Sequence, residues 1–151
     1  MKRLILALVL SLPSLQGCSA LSTGQEALPS AREVAELVAA RALEVPPIGA
    51  YGRQVSGASA EAQAWFDQGV RYTYGFNQDQ AAACFARAAL ASPECAMAWW
   101  GIAYSAGPNQ NNPEIVPPKD QWSYAAAQRA LELKHHESGV NRALIEALVN
   151  R

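Results

Sequence analysis

Between Ala60 and Pro93 the chain sets large and small residues at helical intervals, and that spacing constrains its fold more than any other feature. Trp65, Gly69 and Tyr72 stand at i, i+4 and i+7, which on a helix puts all three on one face. Tyr74-Gly75-Phe76 interrupts the run. Asn77-Gln78-Asp79-Gln80 then supplies a capping residue with Gln three positions later, a start signal for a second helix. Ala81, Phe85 and Ala88 repeat the same spacing, and Pro93 stops the helix because proline cannot continue the hydrogen-bond ladder. Small Gly69 and Ala81 let the two helices approach, while Trp65, Tyr72 and Phe85 fill the space beside them. The expectation is a helical hairpin in which Trp65 is a filled core site, costing ~3 to 5 kcal/mol on truncation to Ala.

Taken together, Trp65, Gly69, Tyr72, Ala81, Phe85, Ala88 and Pro93 resemble the tetratricopeptide repeat, a helix-turn-helix unit of α-solenoids. Gln68 stands where that pattern expects Leu, and it reads as a polar side chain on a helix flank. The longer stretch "AWFDQGVRYTYGFNQDQAAACFARAALASPECAMAWWGIAYSAGPNQNNP" resembles a group of exported bacterial tetratricopeptide proteins of otherwise undefined activity. Those usually carry His where this chain has Gln78, so the resemblance implies that any role of such a His is absent here. For the fold it implies an all-α chain of stacked hairpins, about two repeats plus the start of a third.

Counting onward, Trp99 lies 34 residues after Trp65 and Ala103 lies 34 after Gly69, so a second hairpin begins at Ala96. Its second helix ends in "ALEL", and Ala130 lies 42 residues after Ala88. The eight extra residues fall in "GPNQNNPEIVPP", Gly107 to Pro118, which reads as an insertion in the turn of the second hairpin. Insertions in repeat proteins map to loops on one face, often the binding face. Helices are expected near 31 to 43, 60 to 74, 78 to 91, 96 to 106, 121 to 135 and 140 to 150. The abundant Ala agrees, because Ala loses no side-chain entropy in a helix.

The first residues read as an export signal. Met1-Lys2-Arg3 is basic, and Leu4 to Leu15 is apolar apart from Ser11, Pro13 and Ser14. That run is shorter than the roughly 20 apolar residues a membrane-spanning helix needs. "LQGC", Leu15 to Cys18, resembles the lipobox of bacterial lipoproteins, which implies cleavage before Cys18 and lipidation of that residue. Gln16 departs from the small residue usual in the box, and cleavage as an ordinary secreted protein is the alternative. Ser19 resembles the pattern sent to the outer membrane. The expected organisation is a signal peptide over 1–17, a tether with a short helix over 18–58 and a repeat domain over 59–151.

Within the tether, Ser30-Ala31-Arg32-Glu33 is a capping box that opens a short helix with Val34, Leu37 and Val38 on its apolar stripe. Pro46-Pro47 closes that segment, and Ile48 to Ser59 reads as a second linker. At the other end, Val140, Leu144, Ile145, Leu148 and Val149 form an apolar stripe after Ser138. Three routes satisfy it: the chain is a fragment of a longer solenoid, the helix folds back onto the second hairpin, or two chains pair through Leu144, Ile145 and Leu148. The fragment reading is favoured, with self-association as its consequence.

No chemistry announces itself. Twelve basic residues balance thirteen acidic ones without a run of either sign, which gives no electrostatic reason to expect nucleic acid. His135 and His136 are adjacent, so on an α-helix they diverge by about 100° and do not clasp one metal; they read as closing a helix near its free carbonyls. Cys84 and Cys95 read as small buried hydrophobes, set ~10 Å apart by helical rise and beyond disulfide reach. Asp67 and Asp79 carry no catalytic signature. No cofactor, metal or catalytic residue is expected.

The leading functional expectation is a non-catalytic, envelope-anchored scaffold that binds a partner protein or peptide in a concave groove and at the 107–118 loop. Trp99 reads as core, whereas Trp100 either packs on a neighbouring helix or lines the groove as a partner contact. The alternative is a polar small-molecule binder or accessory subunit of an envelope enzyme, in which Asn109, Gln110, Asn111 and Asn112 offer amide donors and acceptors to a ligand such as a sugar.

Overall fold

The structure, a computed structural model, describes residues 27–41 and 44–151. The expected signal peptide, residues 1–17, and the expected lipidation site Cys18 lie outside the described residues. The rest is all-α: α1 (Ala31–Arg41), α2 (Ala60–Tyr74), α3 (Gln78–Ala91), α4 (Ala96–Ala106), α5 (Lys119–Glu132), a 3-10 turn (Lys134–His136) and α6 (Gly139–Val149). Three helices occupy the expected spans, and α5 begins two residues early, directly after Pro118.

Each of α2 to α5 packs on the next in the chain, with α3 and α4 at the centre. Helix α4 explains itself by composition. Apart from Trp100 and Tyr104 all its residues are buried, as expected of a helix that is apolar on every side. Against it lies the ring of Phe85 from α3, held between Gly69 of α2 and Gly101 of α4 and tilted 57° against Phe66, with centroids 5.3 Å apart. Ala81, Phe85 and Ala88 are fully buried and Tyr72 nearly so, as their spacing predicts, and Pro93 follows the end of α3.

Trp65 differs from its expectation. It is half-buried at the margin, with the Arg87 guanidinium 4.8 Å over its ring, and its neighbour Phe66 fills the core instead. Trp99, its counterpart 34 residues on, is buried and donates its indole N–H to the Pro93 carbonyl at 2.8 Å. Gln68 is also corrected. It is buried, and its Nε2 donates to the Pro46 carbonyl at 2.6 Å.

The division at residue 58 is revised by packing. The expected capping box forms, with Ser30 N and Oγ both donating to Glu33 Oε2 and Glu33 N donating back to Ser30 Oγ. The helix it opens is part of the core: Val34, Ala35 and Val38 of α1 are buried, and α1 lies against α3 and α5. Leu37, expected on that stripe, is exposed. Arg41 stacks on Trp122 of α5, which secures the helix at its end.

Residues 44–58 likewise run back along α2, bound through their main chain. The Pro46 carbonyl accepts from Gln68 and from Tyr72 Oη, Tyr51 O from Arg71, and Arg53 O from Gln63. In return Arg53 N donates to Asp67 and Val55 N to Gln63 Oε1. These bonds satisfy an extended segment that has no strand to pair with.

Helix α6 takes the second of the three routes. Ile145 is wholly buried, Leu144 and Leu148 pack on the core, and α6 lies against α4 and α5. Of the stripe expected to drive self-association, Ile145 is buried, Leu144, Leu148 and Val149 are partly buried, and Val140 faces solvent widely. The Trp100 indole N–H reaches across to the Leu144 carbonyl at 3.1 Å, and its ring stacks on Tyr104.

Candidate ligand-binding cavity

The two hairpins differ at their turns, and the difference makes a cavity. Helices α2 and α3 are joined by Gly75, Phe76 and Asn77, whereas the whole of 107–118 joins α4 to α5. The long loop folds beside the short one. Lys119 closes the gap by donating to Asp79 Oδ1 at 2.8 Å. Between them lies a cavity of about 410 Å³ bordered by Gln78, Ser105, Asn109, Asn111, Asn112 and Glu114, among others.

Asn109 builds the loop. Its backbone exchanges hydrogen bonds with Asn112 in both directions, at 2.9 and 3.1 Å, forming an isolated antiparallel bridge. Its Oδ1 also accepts from the amides of Asn111 and Asn112, both at 3.0 Å. This is the backbone use of Asn common to tight turns. It also sets Asn111 and Asn112 as exposed side chains at the cavity edge.

Two buried polar atoms at this cavity have no hydrogen-bond partner: Gln78 Oε1 and Ser105 Oγ. Ser105 is only 4% exposed. A serine in a helix commonly returns its hydroxyl to the carbonyl one turn back, and Ser105 does not. Unpaired buried polar atoms are rare because each forfeits its hydration without compensation. Asn77, expected to cap α3, makes no side-chain capping bond, so the start of α3 also borders the cavity uncapped. Asp79 in the first turn already supplies the negative charge that a helix N-terminus favours.

Of the sequence-derived candidates, the structure gathers Asn109, Asn111 and Asn112 around this cavity and sets Gln110 beside an adjoining one. It does not bring Trp100 there, because that indole is committed to α6. Ser105 and Phe76 were missed. The available signal for Ser105 was a lone small hydroxyl within the otherwise apolar helix "AMAWWGIAYSA".

The histidines also depart from the expected divergence. They sit in a 3-10 turn with rings 4.0 Å apart, His135 Nδ1 lies 3.0 Å from the Glu132 carbonyl, and His136 approaches Glu94 at 3.8 Å. Contact with a free helix-end carbonyl is the closing role expected of them. Among the described residues no cluster of three or more His, Cys, Asp or Glu is placed to hold a metal ion. Cys84 and Cys95 are buried free thiols. Burial pushes the Cys84 thiol up to about 12 and raises that of Cys95. Among the described residues no helix is long and apolar enough to cross a membrane.

Comparison with known proteins adds no relative: no family model, no curated protein and no solved structure matches this chain.

Proposed function

We propose that this chain is a small-molecule receptor built from tetratricopeptide-like hairpins, which binds a neutral, polar ligand between the α2–α3 turn and the 107–118 loop. The observation that carries the reading is the pairing of Ser105 Oγ with Gln78 Oε1 at one cavity, a buried donor-acceptor group and a buried acceptor with nothing to bond. A hydroxyl, which both donates and accepts, is the kind of ligand group that answers either of them. Lys119, the cavity's cation, is engaged by Asp79 and Glu114 adds a carboxylate to the wall, so an anion gains little there.

The protein-interaction reading lacks an equivalent anchor. Trp100 is spent on α6, and the polar face of α2 is occupied by residues 44–58 of the chain itself. No catalytic role is proposed. On this reading Cys18 is the lipid anchor that holds the receptor at the bacterial envelope, and mass spectrometry of the membrane fraction tests it: a mature N-terminus other than Cys18 excludes it.

The cavity is tested by thermal shift and ligand-observed NMR of the full chain against a panel of neutral polyols, sugars, amino acids and nucleosides. Ser105→Ala should abolish the response while keeping the helical circular dichroism. A trimmed chain lacking eight loop residues should fold and not bind, since closure entropy changes only with the logarithm of loop length. Binding that survives both changes refutes the site.

A further inference from the structure

A second cavity adjoins the first and shares Phe76, Gln78, Asn109 and Asn111 with it. It measures about 490 Å³ and adds Tyr74 and Tyr104 to the wall. Its wall combines the rings of Tyr74, Phe76 and Tyr104 with the amides of Gln78, Asn109, Gln110 and Asn111, whereas the first adds Ser105 and Asn112 and has no tyrosine. Phe76 is 79% exposed and Tyr74 69% exposed, both where α2 ends in its turn to α3, in a chain whose other Phe rings are buried. A Phe in the open costs hydrophobic free energy that a monomeric fold normally recovers by burial.

Phe76 is also the one described non-glycine residue at positive φ, +57°. A bulky residue in the left-handed region costs of order 1 to 3 kcal/mol, and such strain concentrates at ligand-binding positions. Asn or Gly would relieve it. Instead a bulky ring stands at the junction of two cavities, facing solvent.

We infer that the two cavities form one saccharide site with two subsites; the inference rests on the receptor reading above and names its ligand class. A sugar ring has an edge of hydroxyls and a face of C–H groups. Hydroxyls are matched by Ser105, Gln78 and the loop amides, each of which complements a group that both donates and accepts. The C–H face is matched by an open aromatic ring, as Phe76 presents. One sugar unit occupies the first cavity, and the next lies over the open ring of Phe76 in the second, whose other two rings are already packed, Tyr104 on Trp100 and Tyr74 on Tyr51. Anionic ligands such as nucleotides fit less well, since Lys119 is already paired with Asp79 and Glu114 adds a carboxylate to the wall.

The probes are glucose, galactose and N-acetylglucosamine with their disaccharides maltose, lactose and chitobiose, titrated into the full chain at up to millimolar concentration and followed by saturation-transfer NMR. At least one disaccharide should bind about tenfold more tightly than its monosaccharide, the scale of one aromatic contact. Phe76→Ala should remove that advantage, with Phe76→Trp restoring it, whereas Ser105→Ala should remove the response to monosaccharide and disaccharide alike. Because Phe76 is exposed, neither of its variants threatens folding. If amino acids or nucleosides respond in a Ser105-dependent way and saccharides do not, the saccharide inference fails and the receptor reading stands. If saccharides bind but Phe76→Ala changes nothing, the second subsite is refuted. Silence from every probe, sugar or otherwise, overturns both.

Discussion

A Cβ placed on Gly69 would stand 2.7 Å from the Phe85 ring, and Gly101 meets the same ring from the opposite helix at closer range still. The ring is a wedge between α2 and α4, and only glycine leaves room for it. Helical Gly→Ala ordinarily stabilises by roughly 0.5 to 1 kcal/mol through backbone entropy. Here the sign reverses: Gly69→Ala and Gly101→Ala should each destabilise by about 1 to 3 kcal/mol from overpacking. Phe85→Ala should cost about 3 to 5 kcal/mol. Urea denaturation followed by circular dichroism checks all three, and a stabilised Gly101→Ala refutes the wedge.

Phe66 and Trp65 should separate in the same assay. Phe66 is wholly buried, so Phe66→Ala should cost about 3 to 5 kcal/mol. Trp65 is half-buried under Arg87, and its truncation should cost less, about 1 to 2 kcal/mol for partial burial and the cation-aromatic contact. Equal losses would mean that the margin is as tightly filled as the core.

The Pro46 carbonyl accepts two hydrogen bonds, from Gln68 at 2.6 Å and Tyr72 Oη at 2.7 Å. Gln68→Leu and Tyr72→Phe should each cost about 1 kcal/mol, because one bond remains. The double variant leaves the carbonyl without either donor and should lose more than the two single losses together. A double-mutant cycle reads the excess, and strict additivity shows that the carbonyl finds water instead.

Cys84 should stay unalkylated at pH 8 until the protein opens, since the thiolate is the reactive form and burial holds it off. Burial pushes its thiol from the ordinary value of 9.0 up to about 12, so the fold favours the protonated thiol. That stabilisation is fully present below pH 9 and is lost as pH rises from 9 towards 12. Alkaline melting should therefore decline less steeply in Cys84→Ala than in the parent. Site-resolved mass spectrometry of alkylated peptides checks the first point, and melting temperature against pH the second.

What the sequence by itself determined was local. Trp65, Gly69 and Tyr72, then Ala81, Phe85 and Ala88, mark two helices because a period of 3.6 residues is written directly into spacing, and α2 and α3 fall on their expected spans. The Ser30 and Glu33 capping box was legible for the same reason, since both partners lie within one helical turn. The long loop could be placed by counting.

Tertiary structure decided which faces meet. Periodicity marks a face as apolar without saying what covers it, so α1 read as part of a tether and α6 as a bare stripe, although α3 and α5 cover one and α4 and α5 the other. Register also left Trp65 and Phe66 a single residue apart in the competition for the core, and Phe85 settled it by packing on Phe66. The candidate site was the least legible part. Asn109, Asn111 and Asn112 stood out by composition, but Gln78 and Ser105, 27 positions apart, become neighbours of one cavity only when α3 packs on α4 and the 107–118 loop folds over the turn between α2 and α3. No spacing along the chain encodes that meeting, because it depends on how helices and a loop distant in sequence pack together.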